Sequence, residues 1–146
     1  MLKNVPKILS PELLKALSEM GHGDELVIAD ANFPAHSINQ HVIRADGILG
    51  TEMLKAILKV IPLDTYADSN FMLMETTNGD STPDIWKEYE DIAFNLDKNV
   101  KKAMLERFAF YERSKKAYLV IVTGEERIYG NIIIKKGVIK KAYIYV

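Results

Sequence analysis

Cysteine is absent from the 146 residues, which excludes disulfides, thiolate zinc sites and cysteine nucleophiles and fits a reducing compartment. No apolar run approaches the ~18 residues that a membrane span needs. The first segment, Met1-Leu2-Lys3-Asn4-Val5-Pro6-Lys7, lacks the apolar core of a secretory signal, so the expectation is a cytoplasmic protein. Neither sign of charge is in excess: 19 Lys and Arg face 20 Asp and Glu, a net charge of −1. Nothing electrostatic therefore calls for nucleic acid or an anionic membrane as partner. Phosphate and dinucleotide fingerprints are missing too, because Gly21-His22-Gly23 precedes a strand instead of following one and no Gly-Lys-Ser/Thr occurs. Histidines 22, 36 and 41, with Asp24, Asp30 and Asp46, offer metal ligands, but no two stand at a metalloprotease spacing and no metal is expected. Ser37 beside His36 has no strand-turn-helix elbow around it, so it is not read as a nucleophile.

What the sequence does contain is an ordinary core composition, 48% hydrophobic with 27% charged residues, enough for one domain over 1–146. Ser10-Pro11-Glu12 starts a helix whose Leu13, Leu14, Leu17 and Met20 recur at helical spacing, with Gly21 as its stop. Leu26 to Ala29 is a continuous apolar run, as in a strand buried on both faces. The spacing predicts further helices from Thr51, as cap, to Ile61, after Asp80-Ser81-Thr82-Pro83, and over Arg107 to Lys116. Strands are predicted at Phe71 to Met74, Ala117 to Thr123, Asn131 to Ile134 and Val138 to Val146. Ala31 to Gln40 reads as irregular. Helices alternating with buried strands argue an α/β fold, helices packed on both faces of a largely parallel or mixed sheet.

Chemistry concentrates around that first strand. His22 lies between two glycines, open to a ligand, and histidine exchanges protons near neutral pH. The alternative is a capped helix end with a solvated imidazole. Asp30 follows the strand, beside the Ala31 to Gln40 loop where ligands of open α/β sheets gather. Arg107-Phe108-Ala109-Phe110-Tyr111-Glu112-Arg113 joins rings to guanidinium groups, a mixture suited to sugars, though the same rings fit a buried helix face. Tyr129-Gly130-Asn131 offers a phenol, a bare amide and a carboxamide, or a plain turn. His22 and Asp30 flank a strand whose four inner residues span roughly 13 Å. One small ligand reaches both only if the loops fold back or a second subunit supplies one of them.

Taken in order, Ser10 to Leu14, Glu19-Met20-Gly21-His22-Gly23-Asp24-Glu25, Asp30-Ala31-Asn32-Phe33-Pro34-Ala35-His36-Ser37, Val42 to Gly47, Arg107 to Arg113, Tyr129-Gly130-Asn131-Ile132 and Lys135-Lys136-Gly137-Val138 resemble the bacterial L-fucose mutarotase family, relatives of D-ribose pyranase. The resemblance implies a three-layer α/β/α sandwich around a mixed, largely parallel sheet. It also implies a cytoplasmic, metal-free and cofactor-free isomerase that interconverts the anomers of L-fucose. His22 is then the acid/base residue, Asp30, Arg107, Tyr129, Gly130 and Asn131 hold the sugar, and the chain forms a ring-like homo-oligomer, a decamer. The family carries histidine where this chain has Asn32, and the tail beyond Val138 is longer than the family's. Pyranose-furanose interconversion of ribose, or a non-catalytic sugar-binding accessory of an uptake system, are the other readings.

Overall fold

The computed structural model describes residues 1–141. Among the described residues, five helices and six strands run in the order α1 (Pro11–Glu19), β1 (Glu25–Ala29), α2 (Ala35–Ile38), β2 (Val42–Ala45), α3 (Gly50–Leu58), β3 (Phe71–Met74), α4 (Asp84–Leu96), β4 (Lys102–Leu105), α5 (Arg107–Lys116), β5 (Leu119–Thr123) and β6 (Ile132–Lys135). The strands form a single sheet in the order β2-β5-β1-β6-β3-β4. Pairing is parallel for β2 with β5, β5 with β1 and β3 with β4; β6 lies antiparallel to both β1 and β3. All strands but β6 therefore point the same way, so the sheet has one carboxyl edge and one amino edge.

Side chains that alternate along each strand divide the core in two. Leu26 and Ile28 of β1, with Phe71, Leu73, Leu119, Ile121, Ile132 and Ile134, face α1, α3 and α4. Val27 and Ala29, with Met72, Met74, Val120, Val122 and Ile133, face Phe33, Ala35 of α2 and Phe110 of α5. This is the three-layer α/β/α sandwich, and the continuous apolar runs of β1, β3 and β5 follow from burial on both faces.

Several boundaries differ from the sequence reading. Ser10 caps α1 as expected, its side chain accepting from the Leu13 amide at 3.2 Å, a bond worth about 1 kcal/mol. The helix, however, ends at Glu19 and is capped by extended Met20, and the left-handed glycine is Gly23 (φ 85°) rather than Gly21. Thr51 lies inside α3, whose cap is Leu49. Strands β2 and β4 were not legible because each is a four-residue edge strand, partly exposed and carrying a charged residue, Arg44 or Lys102. Within Ala31 to Gln40 the chain makes one helical turn, α2. Residues 138–140 form no regular element, and 142–146, the rest of the expected last strand, lie outside the described residues.

Candidate active site

Sheet direction sorts the chemistry-bearing residues. Asp30 follows β1, Thr77 follows β3 and Arg107 follows β4, all beyond the carboxyl edge; Tyr129 and Asn131 join them because β6 starts there, running the other way. These side chains, with Asn32, Phe33, Pro34, Met74 and Tyr111, line a pocket of about 180 Å³. That is below the roughly 300–1,000 Å³ of sites for drug-sized ligands, so the pocket suits a ligand of one small ring.

Asp30 is nearly inaccessible. Its amide donates to Asn131 Oδ1 at 2.8 Å, its Oδ1 accepts from the Asn32 amide at 3.0 Å, and its Oδ2 accepts from Asn131 Nδ2 at 3.1 Å. Burial pushes the Asp30 carboxyl up from its ordinary value; hydrogen bonds from the amides of Asn32 and Gly130, the Asn131 carboxamide and the Phe33 amide oppose that without cancelling it. Asn131 thus clamps Asp30 on both sides. Gly130 does not line the pocket: its amide faces Asp30 and its carbonyl accepts from Tyr89 Oη at 3.0 Å. A Cβ there would lie 3.1 Å from the Arg127 carbonyl oxygen, so the glycine allows close packing of the turn and presents no bare amide to a ligand.

Tyr129 holds a left-handed backbone (φ 61°) and points its phenol at the turn after β3. Its Oη lies 2.5 Å from Asp80 Oδ2 and accepts from the Thr77 amide at 3.1 Å. Arg107 has an Nε that is buried without a hydrogen-bond partner, and its guanidinium carbon sits 4.7 Å from the centre of the Phe108 ring. A buried donor without a partner is costly unless a ligand satisfies it. Elsewhere in the Arg107 to Arg113 run, Phe110 is in the core and Arg113 forks onto Glu25 at 2.6 Å. Only Arg107 and Tyr111 of that segment reach the pocket.

His22 is at the other edge. The glycine loop does not fold back: the Gly23 amide donates to the Lys136 carbonyl at 2.8 Å, pinning the loop to the far end of β6. Five residues of β1 separate the two edges, roughly 16 Å. His22 Nε2 lies 2.8 Å from Asp64 Oδ1, with the imidazole side chain 45% exposed and Asp64 buried. A carboxylate only accepts, so in this contact Nε2 carries the proton and donates to Asp64, while Nδ1 is not engaged by it. Burial pushes the Asp64 carboxyl up, but hydrogen bonds from His22 and from the Ala67 and Tyr66 amides outweigh it and hold the group below its ordinary value. Asp64, not Asp30, orients the imidazole. The Tyr66 ring packs 5.2 Å from that of His22.

Asp64, Tyr66, Thr77 and Asp80 escaped the sequence reading because their partners lie far along the chain, as with the separation of 42 positions from His22 to Asp64. The turn signal Asn78-Gly79 was there to mark the loop holding Thr77 and Asp80. Trp86 donates from Nε1 to the Tyr129 carbonyl at 3.0 Å, an internal brace for that turn. His41 bonds the Tyr118 carbonyl and His36 the Arg44 guanidinium, so the three histidines are dispersed. Among the described residues no group of three His, Asp or Glu side chains is arranged to hold a metal.

Relatives share this whole frame. A fucose mutarotase of Mus musculus is 52% identical over 144 residues, covering 93% of this chain and 94% of its own. An L-fucose mutarotase of Histophilus somni is 49% identical over 140 residues, covering 94% and 97%. Among solved structures, the fucose mutarotase of Streptococcus pneumoniae in complex with L-fucose superposes with a TM-score of 0.91 at 48% identity, over 95% of this chain and all of that one. RbsD of Bacillus subtilis, complexed with D-ribose, shares the fold at a TM-score of 0.72 and 22% identity. With a family model matching residues 3–139 as well, the chain belongs to the RbsD / FucU transport protein family.

Proposed function

We propose that this protein is an L-fucose mutarotase, an isomerase that interconverts the α and β anomers of L-fucose. The observation that carries this is the small pocket at the carboxyl edge, in which a buried carboxyl, an arginine whose buried Nε has no partner and a phenol face an apolar wall of Phe33, Pro34, Met74 and Tyr111. Relatives at about half identity bear that activity in their names. The polar groups suit sugar hydroxyls, and the wall suits the ring's C–H face and the methyl group of a 6-deoxy sugar.

Mutarotation takes a proton from the anomeric hydroxyl and gives one to the ring oxygen; the ring opens to the aldehyde, C1–C2 rotates, and the ring closes on the other face. No electrons are exchanged, and neither a metal nor a cofactor is needed. Positioned acid/base groups contribute ~10²–10⁴-fold. His22 and Tyr129 are the two proton-transferring groups, with Asp30, Arg107 and Asn131 holding or shaping the sugar site.

Because His22 and the pocket lie at opposite edges, the complete site is formed between subunits, His22 of one chain facing the pocket of the next. Both edges carry exposed rings for such a contact, Tyr66 beside His22 and Phe108 beside Arg107. An edge-to-edge contact of unlike surfaces is heterologous, and when its rotation closes it makes a ring. A ring-like homo-oligomer, the decamer, in the cytoplasm is the assembly this reading takes, and light scattering measures its mass.

Saturation-transfer NMR tests the function. Irradiating one anomer of L-fucose must bleed into the other far faster with protein than without. Exchange at the spontaneous rate, with sugar bound, would mean a non-catalytic binder; acceleration seen only for ribose pyranose and furanose would mean a pyranase.

A further inference from the structure

We propose that Asp80 is the proton acceptor behind Tyr129, so that the Tyr129–Asp80 pair is the base that opens the sugar ring; this rests on the mutarotase reading above. A phenol has one proton, and its neighbours decide where it points. Asp80 Oδ2 stands 2.5 Å from Tyr129 Oη, the separation of a charge-assisted O–H···O⁻ bond. The Thr77 amide, at 3.1 Å, can only donate. The Thr77 carbonyl, at 3.5 Å, is too distant to compete with Asp80. Tyr129 therefore directs its O–H at Asp80 and, with one lone pair taken by the Thr77 amide, has the other for the pocket. Thr77 Oγ1, 3.1 Å from the phenol and itself lining the pocket, occupies the place a sugar hydroxyl would take and can yield it by rotating.

The backbone is built for this contact. Asn78 and Gly79 are both left-handed (φ 57° and 73°), and the Asp80 amide donates to the Thr77 carbonyl at 3.1 Å, closing a tight turn that brings the residues on either side of it to one phenol. Tyr129 is itself left-handed, a conformation costly for a bulky residue, and the Trp86 bond to its carbonyl helps to hold it there. Asp80 is exposed, so the space its side chain fills can be reached from solvent.

The proton balance closes. The anomeric O1–H proton passes to Tyr129 Oη as the phenol proton passes to Asp80, and the O1 electron pair forms the C1=O bond. The C1–O5 bond breaks with its pair on O5, which takes a proton from the imidazolium of His22 on the neighbouring chain. Reclosure on the opposite face reverses each transfer. Asp80 is a positioning and proton-accepting residue; Tyr129 touches the sugar.

The test measures L-fucose anomer exchange for wild type, Asp80→Asn and Asp80→Ala. Asp80→Asn keeps the shape and an acceptor oxygen but cannot hold the proton; its kcat should fall about 10- to 100-fold at little-changed KM. Asp80→Ala should fall at least as far and regain several-fold on adding acetate or formate, which enter the exposed gap; Asp80→Ala/Tyr129→Phe should gain nothing. Either single variant at wild-type kcat, a loss confined to KM, or a folded Asp80→Ala that small carboxylates do not rescue would overturn the assignment. Wild-type exchange at the spontaneous rate would instead overturn the mutarotase reading.

Discussion

Two buried aspartates, one at each edge of the sheet, are perturbed in opposite directions. Asp30 and Asp64 are 4% and 2% exposed, and burial is the largest influence on both. At the carboxyl edge, Asp30 is surrounded by neutral donors, and burial wins. At the amino edge, Asp64 has an ionisable partner in His22 as well as two amides, and these win. The difference teaches that burial alone does not decide what a carboxylate does. Asp30 is held by neutral donors at the wall of the small pocket, whereas Asp64 stands against an imidazole whose orientation it fixes.

The largest expected effect breaks the amino edge outright. His22→Ala should lower L-fucose anomer exchange by at least ~10²-fold with the fold intact, because an exposed side chain is removed and no core volume is lost. Near-wild-type exchange would remove His22 from the mechanism. The same variant tests whether the two edges meet. Mixed in equal amounts with inactive Arg107→Ala under subunit exchange, it should restore about a quarter of the sites if each site takes one residue from each of two neighbouring chains. Inactive mixtures despite proven exchange would place each site within one chain.

A smaller loss is expected from Asp64→Asn, about 10- to 100-fold in kcat, since the carboxamide can present either its oxygen or its nitrogen to Nε2 and no longer fixes the tautomer. Its acid stability sharpens the contrast with Asp30. The Asp64 carboxyl titrates below the ordinary 3.8, so it contributes stability above that value that is lost as pH falls through its lower folded value. Asp30 titrates above 3.8, so its contribution is present below 3.8 and lost as pH rises through its higher folded value. Relative to wild type, Asp64→Asn should therefore lose most stability at neutral pH and least in acid, whereas Asp30→Asn should compare best at neutral pH. Chemical denaturation at several pH values checks the signs; parallel profiles would mean the two carboxyls are not perturbed in opposite directions.

The smallest expected effect is none: exhaustive chelation should leave exchange unchanged, because the proton transfers proposed for His22 and Tyr129 need no Lewis acid. Loss on chelation with recovery by one divalent ion would bring His36 and Asp30 forward as ligands.

Local chemistry along the chain was enough for the fold class and for most elements. Continuous apolar runs fixed β1, β3 and β5, Ser10-Pro11 fixed the start of α1, and Arg107 to Lys116 is the helix read from sequence, because each depends on neighbours within a few residues. His22, Asp30, Arg107, Tyr129 and Asn131 were legible as candidate residue types in turns and at strand ends. Their grouping was not. That β6 runs antiparallel between β1 and β3 decides that Tyr129 and Asn131 join Asp30 and Arg107 while Lys136 ends beside His22. That Gly130 packs inward, that Arg113 pairs with Glu25, that Asp64 bonds His22 and that Asp80 bonds Tyr129 are likewise contacts across dozens of residues. Sequence periodicity reports which face of an element is buried; only the assembled sheet determines which side chains, remote along the chain, come within about 3 Å of one another.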